Sequence, residues 1–414
     1  MSPRTWMLTA FAAVLLDVSH AAAGERLLTL QEAVSRALSV HPGVQQGRAE
    51  VQAAEARLSS VQSPLDRNPT LEASTGPRIV PDGPRFDANI GLFQPIEVGG
   101  QRSARIDAAE ANLRAARARL SRSRAEVLAE TRKLYAQWVS ARFRVGVAQK
   151  FVELGRRTVV DVRQQVEDGE ASRIDVNTAI VELGQAHQRL AEARRDERAA
   201  RADLARSIAA EDDASILPGT RLEELVDAFG PVQALDAATA QALTQRADLV
   251  AGRASVEHAR ASLLLAERSA IPSPVIGAQW VLDNGDNIVL GSVKLELPFF
   301  QRNAEERGAA RAEVVTQEVK TTALERSVLE QVRAAAARHQ DARELARLYE
   351  QEVVSAAREN VALIREAHAA GKLGFSEVLR AERSAFETQS AWVDAVEELA
   401  LARADLGLAL GEFE

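Results

Sequence analysis

Residues 111–139 have the sequence ANLRAARARLSRSRAEVLAETRKLYAQWV and belong to a segment, Ile96 to Leu217, that contains no proline. The segment is dense in Ala, Leu, Arg and Glu, which are among the residues that favour helices most. Because nothing in it removes a backbone hydrogen-bond donor, a helix can continue through it for many turns. A second proline-free segment extends from Phe299 to Glu414. The two segments predict very long helices and a mainly α-helical fold.

Both segments contain a series of mostly apolar residues that recur every seven positions. The two series lie 202 residues apart and comprise Val176, Leu183, Leu190, Glu197 and Leu204, and Val378, Ala385, Trp392, Leu399 and Leu406. A sustained seven-residue repeat is typical of helices packed as coiled coils. A glycine that can end a helix in the left-handed conformation, Gly169 or Gly371, precedes each series. Each half of the chain is therefore predicted to form a long helical hairpin.

The beginning of each half also repeats, at a constant offset of 205 residues. The first copy has Leu30, Leu38, Val51, Ala54, Leu58, Pro69 and Leu71, and the second has Leu235, Leu243, Val256, Ala259, Leu263, Pro274 and Ile276. Agreement at one offset over this length indicates a tandem duplication. We predict a first repeat at 24–210, a linker at 211–236 and a second repeat at 237–414.

Each repeat also contains a segment with the two-residue period of a β-strand. Phe86, Ala88, Ile90 and Leu92 alternate with polar residues or glycine, and Val293, Leu295 and Leu297 alternate with Ser292, Lys294 and Glu296. Asn284-Gly285 is a typical hairpin turn. These patterns predict β-hairpins at about 69–95 and 274–298.

Two environments can accommodate these hairpins. Strands of about ten residues with one apolar and one polar face suit a transmembrane β-barrel, in which apolar residues face lipid. Four strands cannot close a barrel, so several chains would have to contribute. The alternative is a soluble four-stranded sheet that caps a helical rod.

Targeting and composition limit the class of protein. Arg4, the apolar run Trp6 to Leu16 and Ala21-Ala22-Ala23 predict a secretory signal peptide at 1–23, rather than an uncleaved membrane anchor. The chain has no cysteine, which excludes disulfides and thiolate metal sites. The net charge of −8 gives no reason to expect nucleic acid as a partner.

The sequence contains no pattern that suggests catalysis, and no phosphate-binding loop or nucleophile motif. Five histidines outside the signal peptide are scattered without metal-ligand spacing: His41, His187, His258, His339 and His368. We therefore expect no enzymatic activity, no cofactor and no resident metal.

Several short motifs resemble those of a known family. They are Leu28-Thr29-Leu30-Gln31-Glu32-Ala33, Gln94-Pro95-Ile96-Glu97-Val98-Gly99-Gly100-Gln101-Arg102 and Leu297-Pro298-Phe299-Phe300-Gln301-Arg302-Asn303, together with the hairpin tips 169–176 and 371–379. In this order, and with the duplication, the sequence resembles the TolC-type outer-membrane efflux proteins, in particular their heavy-metal, CzcC-like branch.

The resemblance implies an architecture and a function. Three chains would form a twelve-stranded barrel in the outer membrane of a Gram-negative bacterium, continued by a helical barrel through the periplasm. This homotrimer would act as the exit duct of a tripartite efflux system for heavy-metal cations, with a periplasmic adaptor protein and an inner-membrane RND-type pump. Two alternatives remain: a periplasmic coiled-coil adaptor or scaffold without a pore, and an exit duct for drugs or secreted proteins.

The same resemblance assigns roles to the two hairpin tips. Glu377 matches an acidic position of the periplasmic aperture, whereas Arg380 replaces a second acidic residue and could form an i,i+3 pair with Glu377. Asp175 is the equivalent of Glu377 in the first repeat. The candidates for contact with the adaptor are Gly169, Ser172, Arg173, Gly371 and Gly374.

Overall fold

The computed structural model describes residues 26–81, 83–210, 216–222, 224–225, 235–299 and 302–412. The predicted signal peptide, residues 1–23, lies outside the described residues, and so does most of the predicted linker at 211–236. The prediction of a mainly α-helical fold with a small β part is confirmed.

Helices form most of the described chain. They are α1 Leu30–Val40, α2 Pro42–Val61, α3 Gln101–Glu167, α4 Arg173–Ser207, α5 Leu235–Gln245, α6 Ala247–Ser269, α7 Ala304–Leu348, α8 Val354–Ala369 and α9 Phe375–Leu410. None of these helices combines the length and the apolar composition needed to cross a membrane.

The strands are short by comparison. They are β1 Arg26–Leu28, β2 Thr70–Val80, β3 Gly83–Pro95, β4 Ile216–Pro218, β5 Val275–Asp283 and β6 Asp286–Lys294. β1 pairs in parallel with β4, which the sequence patterns did not predict, whereas the other four form one antiparallel sheet in the order β2-β3-β5-β6. The hairpin β2-β3 comes from the first repeat and the hairpin β5-β6 from the second.

Helix α3 is the longest element and anchors the core. Its 67 residues extend over about 100 Å at 1.5 Å per residue. Tyr135 and Trp138 are almost fully buried at its centre, where the Tyr135 hydroxyl donates to the Leu28 carbonyl at 2.9 Å. Trp138 Nε1 donates to Glu197 Oε1 at 3.2 Å, which provides a partner for the one charged residue in the heptad series of α4. These bonds satisfy buried polar groups and link α3 to β1 and to α4.

The helical segment that leads to the second tip is interrupted. Helix α7 begins at Ala304, and a π-helical turn, Tyr349–Val353, separates it from α8. A π turn accommodates an extra residue and shifts the helical phase of the residues after it. Tyr349 packs against the core from this turn, whereas α8 buries only Val354. The tip half of the second hairpin is therefore packed more loosely than that of the first.

The two faces of the four-stranded sheet have opposite character. The register brings Leu71 beside Leu92 and Ile276 beside Val293, so that apolar residues of all four strands share one face. Exposed residues on this face are Leu71, Ile79, Phe86, Ile90, Leu92, Ile276, Val289 and Val293. The opposite face carries Glu72, Arg78, Asp87, Asp283 and Lys294, with ion pairs at Arg78–Asp87 (2.7 Å) and Lys294–Glu72 (3.8 Å). One face is thus mainly apolar and exposed, whereas the opposite face combines these charges with a few apolar residues, Val281, Ile288 and Leu290.

Phe93 is the most buried apolar residue on the polar face, and two glycines make room for its ring. Its side chain is only 4% exposed and lies flat over Gly91 and Gly277, while the Lys294 ammonium stands 4.0 Å from the ring centroid. A Cβ atom on Gly277 would overlap the Phe93 ring, whereas one on Gly291 would meet no atom within 4 Å.

We predict that Gly277→Ala destabilises the protein by about 1–3 kcal/mol, because Phe93 must leave its place to admit the methyl group. Thermal unfolding of the protein in detergent micelles, followed by circular dichroism, measures the effect. Gly291→Ala is the matched control, since it adds a methyl group in open space on the neighbouring strand. Equal melting temperatures for the two variants would show that the packing of the Phe93 ring does not require a glycine at position 277.

Candidate functional site: the tips of the two helical hairpins

The two long hairpins turn at equivalent glycines. Gly169, after α3, has φ 78°, and Gly371, after α8, has φ 69°. In each turn the amide of the residue after the glycine bonds back across the helix end: Glu170 N to the Gln165 carbonyl at 2.8 Å, and Lys372 N to the Ala367 carbonyl at 2.9 Å. This geometry is the left-handed C-cap that glycine favours. The predicted helix ends at Gly169 and Gly371 are confirmed.

The first tip is closed by a capping box at the start of α4. Ser172 Oγ accepts from the Asp175 amide at 3.3 Å, and the Asp175 carboxylate accepts from the Ser172 amide at 2.9 Å and from its hydroxyl at 2.7 Å. These hydrogen bonds from Ser172 lower the pKa of Asp175. Asp175, a candidate for the aperture, is thus engaged in shaping its own turn. Arg173 is exposed beside it.

The second tip lacks such a box. Gly374 stands at the N-cap of α9 without a side-chain cap, and its carbonyl accepts from the Glu377 amide at 3.2 Å. Ser376 Oγ donates to Glu377 Oε2 at 2.8 Å, and Arg380 Nη2 lies 3.9 Å from Glu377 Oε1. The Ser376 hydroxyl is the main cause that lowers the pKa of Glu377, and Arg380 contributes. The i,i+3 pair considered from the sequence is therefore present.

Glu377 and Arg380 face a groove between α8 and α9. The groove has a volume of about 650 Å³, and its other polar lining residues are Glu352, Asn360, Ser384 and Thr388. Arg380 is 76% exposed on its side chain. The second tip therefore presents a fixed pair of charges in a polar, accessible groove, whereas the first tip uses its carboxylate internally.

Apolar contacts hold the two tips side by side. Phe375, the first residue of α9, is buried against Val159 and Val162 of α3 and Ala179 of α4. The His368 ring lies 6.2 Å from the Phe375 ring, and its Nδ1 is 2.9 Å from the Leu373 carbonyl oxygen. The sequence patterns did not identify Phe375 as a contact between the hairpins, because its partners lie about 200 residues away in the chain.

Two arginine pairs add polar links near the tips. Arg383 of α9 donates to Glu182 Oε1 of α4 at 2.6 Å, and Arg365 of α8 donates to Glu382 Oε1 at 2.6 Å. Glu382 is only 5% exposed. Sequence reasoning missed it, although its position four residues after Val378 puts it on the same helix face, where a charge needs a partner.

The histidines considered for metal binding have other contacts. His41 caps α2 by accepting from the Gly43 amide at 3.2 Å, and burial lowers the pKa of His258 and His339. Among the described residues, no three His, Asp or Glu side chains are grouped so that they could hold a metal ion. What the tips offer is a set of fixed charges on a packed scaffold.

A helix of about 100 Å, α3, and a four-stranded sheet with an exposed apolar face together define a mainly helical protein with a small two-faced sheet. The comparisons with known proteins agree. The chain matches the outer membrane efflux protein family over residues 33–210 and 238–412, and it belongs to that family. The TolC-type resemblance is confirmed, and membership favours the channel over the adaptor or scaffold alternative.

Individual relatives support this assignment. The cobalt-zinc-cadmium resistance protein CzcC of Cupriavidus metallidurans is 27% identical over 302 residues, which cover 71% of this chain and 70% of the relative. The crystal structure of CusC has a TM-score of 0.78 at 18% identity and covers 92% of both chains. The open state of the MtrE outer membrane channel of Neisseria gonorrhoeae has a TM-score of 0.76 at 19% identity, over 92% of this chain and 88% of that one. The structural matches show the shared fold.

We predict that Ser172→Ala lowers the local stability of the first tip by about 1 kcal/mol, the usual value of a serine N-cap. The first amides of α4 should then be roughly fivefold less protected from hydrogen exchange. Thr178→Ala in the same helix is the control, because Thr178 Oγ1 only bonds back to the Ile174 carbonyl. Unchanged protection in Ser172→Ala would contradict the role of the capping box.

The pKa of Asp175 predicts a pH dependence at the same tip. Because this pKa is held below its usual value of 3.8, the ionised form stabilises the folded turn, and that stability is lost as the pH falls through the lowered pKa. Protection of the α4 amides, corrected for intrinsic exchange rates, should therefore decrease below about pH 4. Asp175→Asn should remove this decrease. The hypothesis fails if the wild-type protein and Asp175→Asn lose protection in parallel.

Proposed function

We propose that this chain is the outer-membrane exit duct of a tripartite efflux system, which three copies form together. The observation that carries the proposal is the two-faced sheet with two open edges. Among the described residues, β2 and β6 each have a strand partner on one side only. Exposed strand edges and an exposed apolar face are both unfavourable in water.

Closure of the sheet across copies would remove both costs. If β6 of one chain pairs with β2 of the next, three chains with four strands each make a closed barrel of twelve strands. The face with Leu92, Ile276 and Val293 would then contact lipid, and the face with Glu72, Asp87 and Lys294 would line a wet lumen. Strands of 9–13 residues are long enough to cross the hydrocarbon layer.

The helices would then continue the duct through the periplasm. The length of α3, about 100 Å, would place the tips far from the outer membrane, where an adaptor protein could reach them. We assign the adaptor contacts to Gly169, Ser172, Arg173, Gly371 and Gly374. We assign the aperture charges to Glu377 and Arg380, with Asp175 maintaining the shape of the first tip beside them.

The cargo we propose is heavy-metal cations, delivered by an inner-membrane RND-type pump. The support is the relative whose name records resistance to cobalt, zinc and cadmium. A duct wall of fixed charges selects weakly, so the pump would determine most of the specificity. Drugs or secreted proteins are the alternative cargo.

Two measurements test the proposed function. The purified protein should sediment as a trimer in detergent and should produce stepwise conductance in planar lipid bilayers. A host that lacks its own duct, given this chain with a cognate pump and adaptor, should regain tolerance to cobalt, zinc and cadmium salts. A monomer without conductance would overturn the channel, whereas conductance with restored tolerance to drugs and not to metals would overturn only the cargo.

Aperture charges lead to a specific prediction. Arg380→Glu would replace the Glu377 to Arg380 pair by two carboxylates one helical turn apart, so cation over anion permeability should rise several-fold. The reversal potential across a salt gradient measures this ratio. Lys320→Glu is the matched control, because it makes the same charge change on exposed α7, far along the chain from both tips. Equal shifts in both variants would show that position 380 does not control the aperture.

A further inference from the structure

A groove follows the flank of α3 midway between its ends. Two hollows of about 410 and 210 Å³ share Val147, Lys150 and Gln389 in their walls. The first lies between α3 and the segment after β4, which contributes Pro218 and Leu222. The second lies between α3, α8 and α9. Together they form one groove along at least three turns of α3.

The floor of the groove is apolar and firmly held. Phe143 packs edge to face on Trp392, with ring centroids 5.6 Å apart, and Phe151 lies 4.6 Å from Phe386. The Arg189 guanidinium lies 5.7 Å from the centroid of the Phe151 ring and 5.3 Å from that of Phe386, and it stabilises this ring pair by cation–π contacts. The floor can therefore bind a partner without first having to become ordered.

The rim of the groove is basic. Arg142, Lys150 and Arg358 are exposed at its edges, and none of them forms an ion pair with a carboxylate in the described parts of the chain. Within the described chain, Arg221 pairs with the exposed Glu224 at 3.8 Å. By contrast, neighbouring arginines such as Arg144 and Arg383 are paired with acidic residues.

Among the described residues, the lining contains one carboxylate, and it does not offset this charge. Glu382 is 5% exposed and is bonded to Arg365. The described rim is therefore positively charged, although the chain as a whole has a net charge of −8. Its position over an apolar floor indicates a partner that has both acidic and apolar groups.

We propose that this groove binds an acidic amphipathic helix of a second protein. Arg142 and Lys150 are eight residues apart on α3, or about 12 Å, so a single small anion cannot contact both. In a helix of roughly three to four turns, an apolar stripe could pack on the floor of the groove, and carboxylates on both sides of the stripe could pair with the basic rim.

The surface is separate from the tips. Lys150 lies 19 residues before Gly169, or about 28 Å along the helix axis. A partner bound here would contact the side of the helical stalk and leave the hairpin turns free. The binding of a partner in this groove does not depend on conduction. Binding can therefore be absent from a working channel, and it can be present in a protein that does not conduct.

The test uses the full chain in detergent micelles and two fluorescent peptides. Both are 14-residue helices with leucines at i, i+3, i+4 and i+7. One carries glutamates on the flanks of the apolar stripe, and the other carries lysines. Fluorescence anisotropy should show saturable binding of the glutamate peptide that weakens at 0.5 M salt, and at least tenfold weaker binding of the lysine peptide.

Charge reversal locates the site. Lys150→Glu with Arg358→Glu should weaken binding of the glutamate peptide at least tenfold and should improve binding of the lysine peptide. Lys320→Glu with Arg326→Glu is the matched control, since it makes the same total charge change on exposed residues of α7. Circular dichroism checks that each protein remains folded, and bilayer conductance should be the same in all three.

Three results would overturn the proposal. The first is equal binding of the two peptides, and the second is equal loss of binding in the groove variant and in the α7 variant. The third is saturable binding of an anionic polysaccharide such as hyaluronan at this groove without binding of the peptide. Val361→Asp provides an independent check, because a negative charge on the apolar wall of the groove should also weaken binding of the glutamate peptide.

Discussion

The constraint on which this structure depends is the cost of leaving backbone hydrogen-bonding groups and apolar side chains uncovered at one sheet. Four strands give the chain an apolar face with eight exposed large residues and two edges that no described strand completes. A protein of this size could cover such a face with one of its own helices. Among the described residues, no helix packs extensively on this sheet, which is why we propose that other copies and lipid cover it.

The duplication explains how one chain builds this sheet. Each repeat contributes one hairpin, and the central pair β3 and β5 joins them through a register that runs from Ala88 beside Leu282 to Pro95 beside Val275. An isolated hairpin would be marginal, whereas two joined hairpins share their ladder bonds and keep alternating residues on a common face. The long helices α3 and α7 then begin beyond the same end of the sheet, and α6 packs against both of them.

Much of the fold could be predicted from the sequence, because local physics determines it. Proline-free segments, heptad spacing and glycine at Gly169 and Gly371 predict helices and their ends, and the period of two predicts the faces of the strands. The π turn at Tyr349–Val353, the strand pair β1-β4 and the burial of Phe375 could not be predicted in this way. Tyr349 of the π turn and Phe375 pack on residues of the other repeat, and β1 pairs with a strand of the linker, so each depends on contacts between distant parts of the chain.

The tips show why repeated sequence need not mean repeated function. Asp175 and Glu377 occupy equivalent positions, but Ser172 precedes the first by three residues and Gly374 precedes the second. A serine at the N-cap accepts the amide of the third residue and draws its carboxylate into the cap, whereas glycine has no side chain to do so. Glu377 is therefore left to pair with Ser376 and Arg380 at the edge of a groove. The difference between serine and glycine at the N-cap thus explains why the Asp175 carboxylate stabilises its own turn, whereas the Glu377 carboxylate is available at the surface.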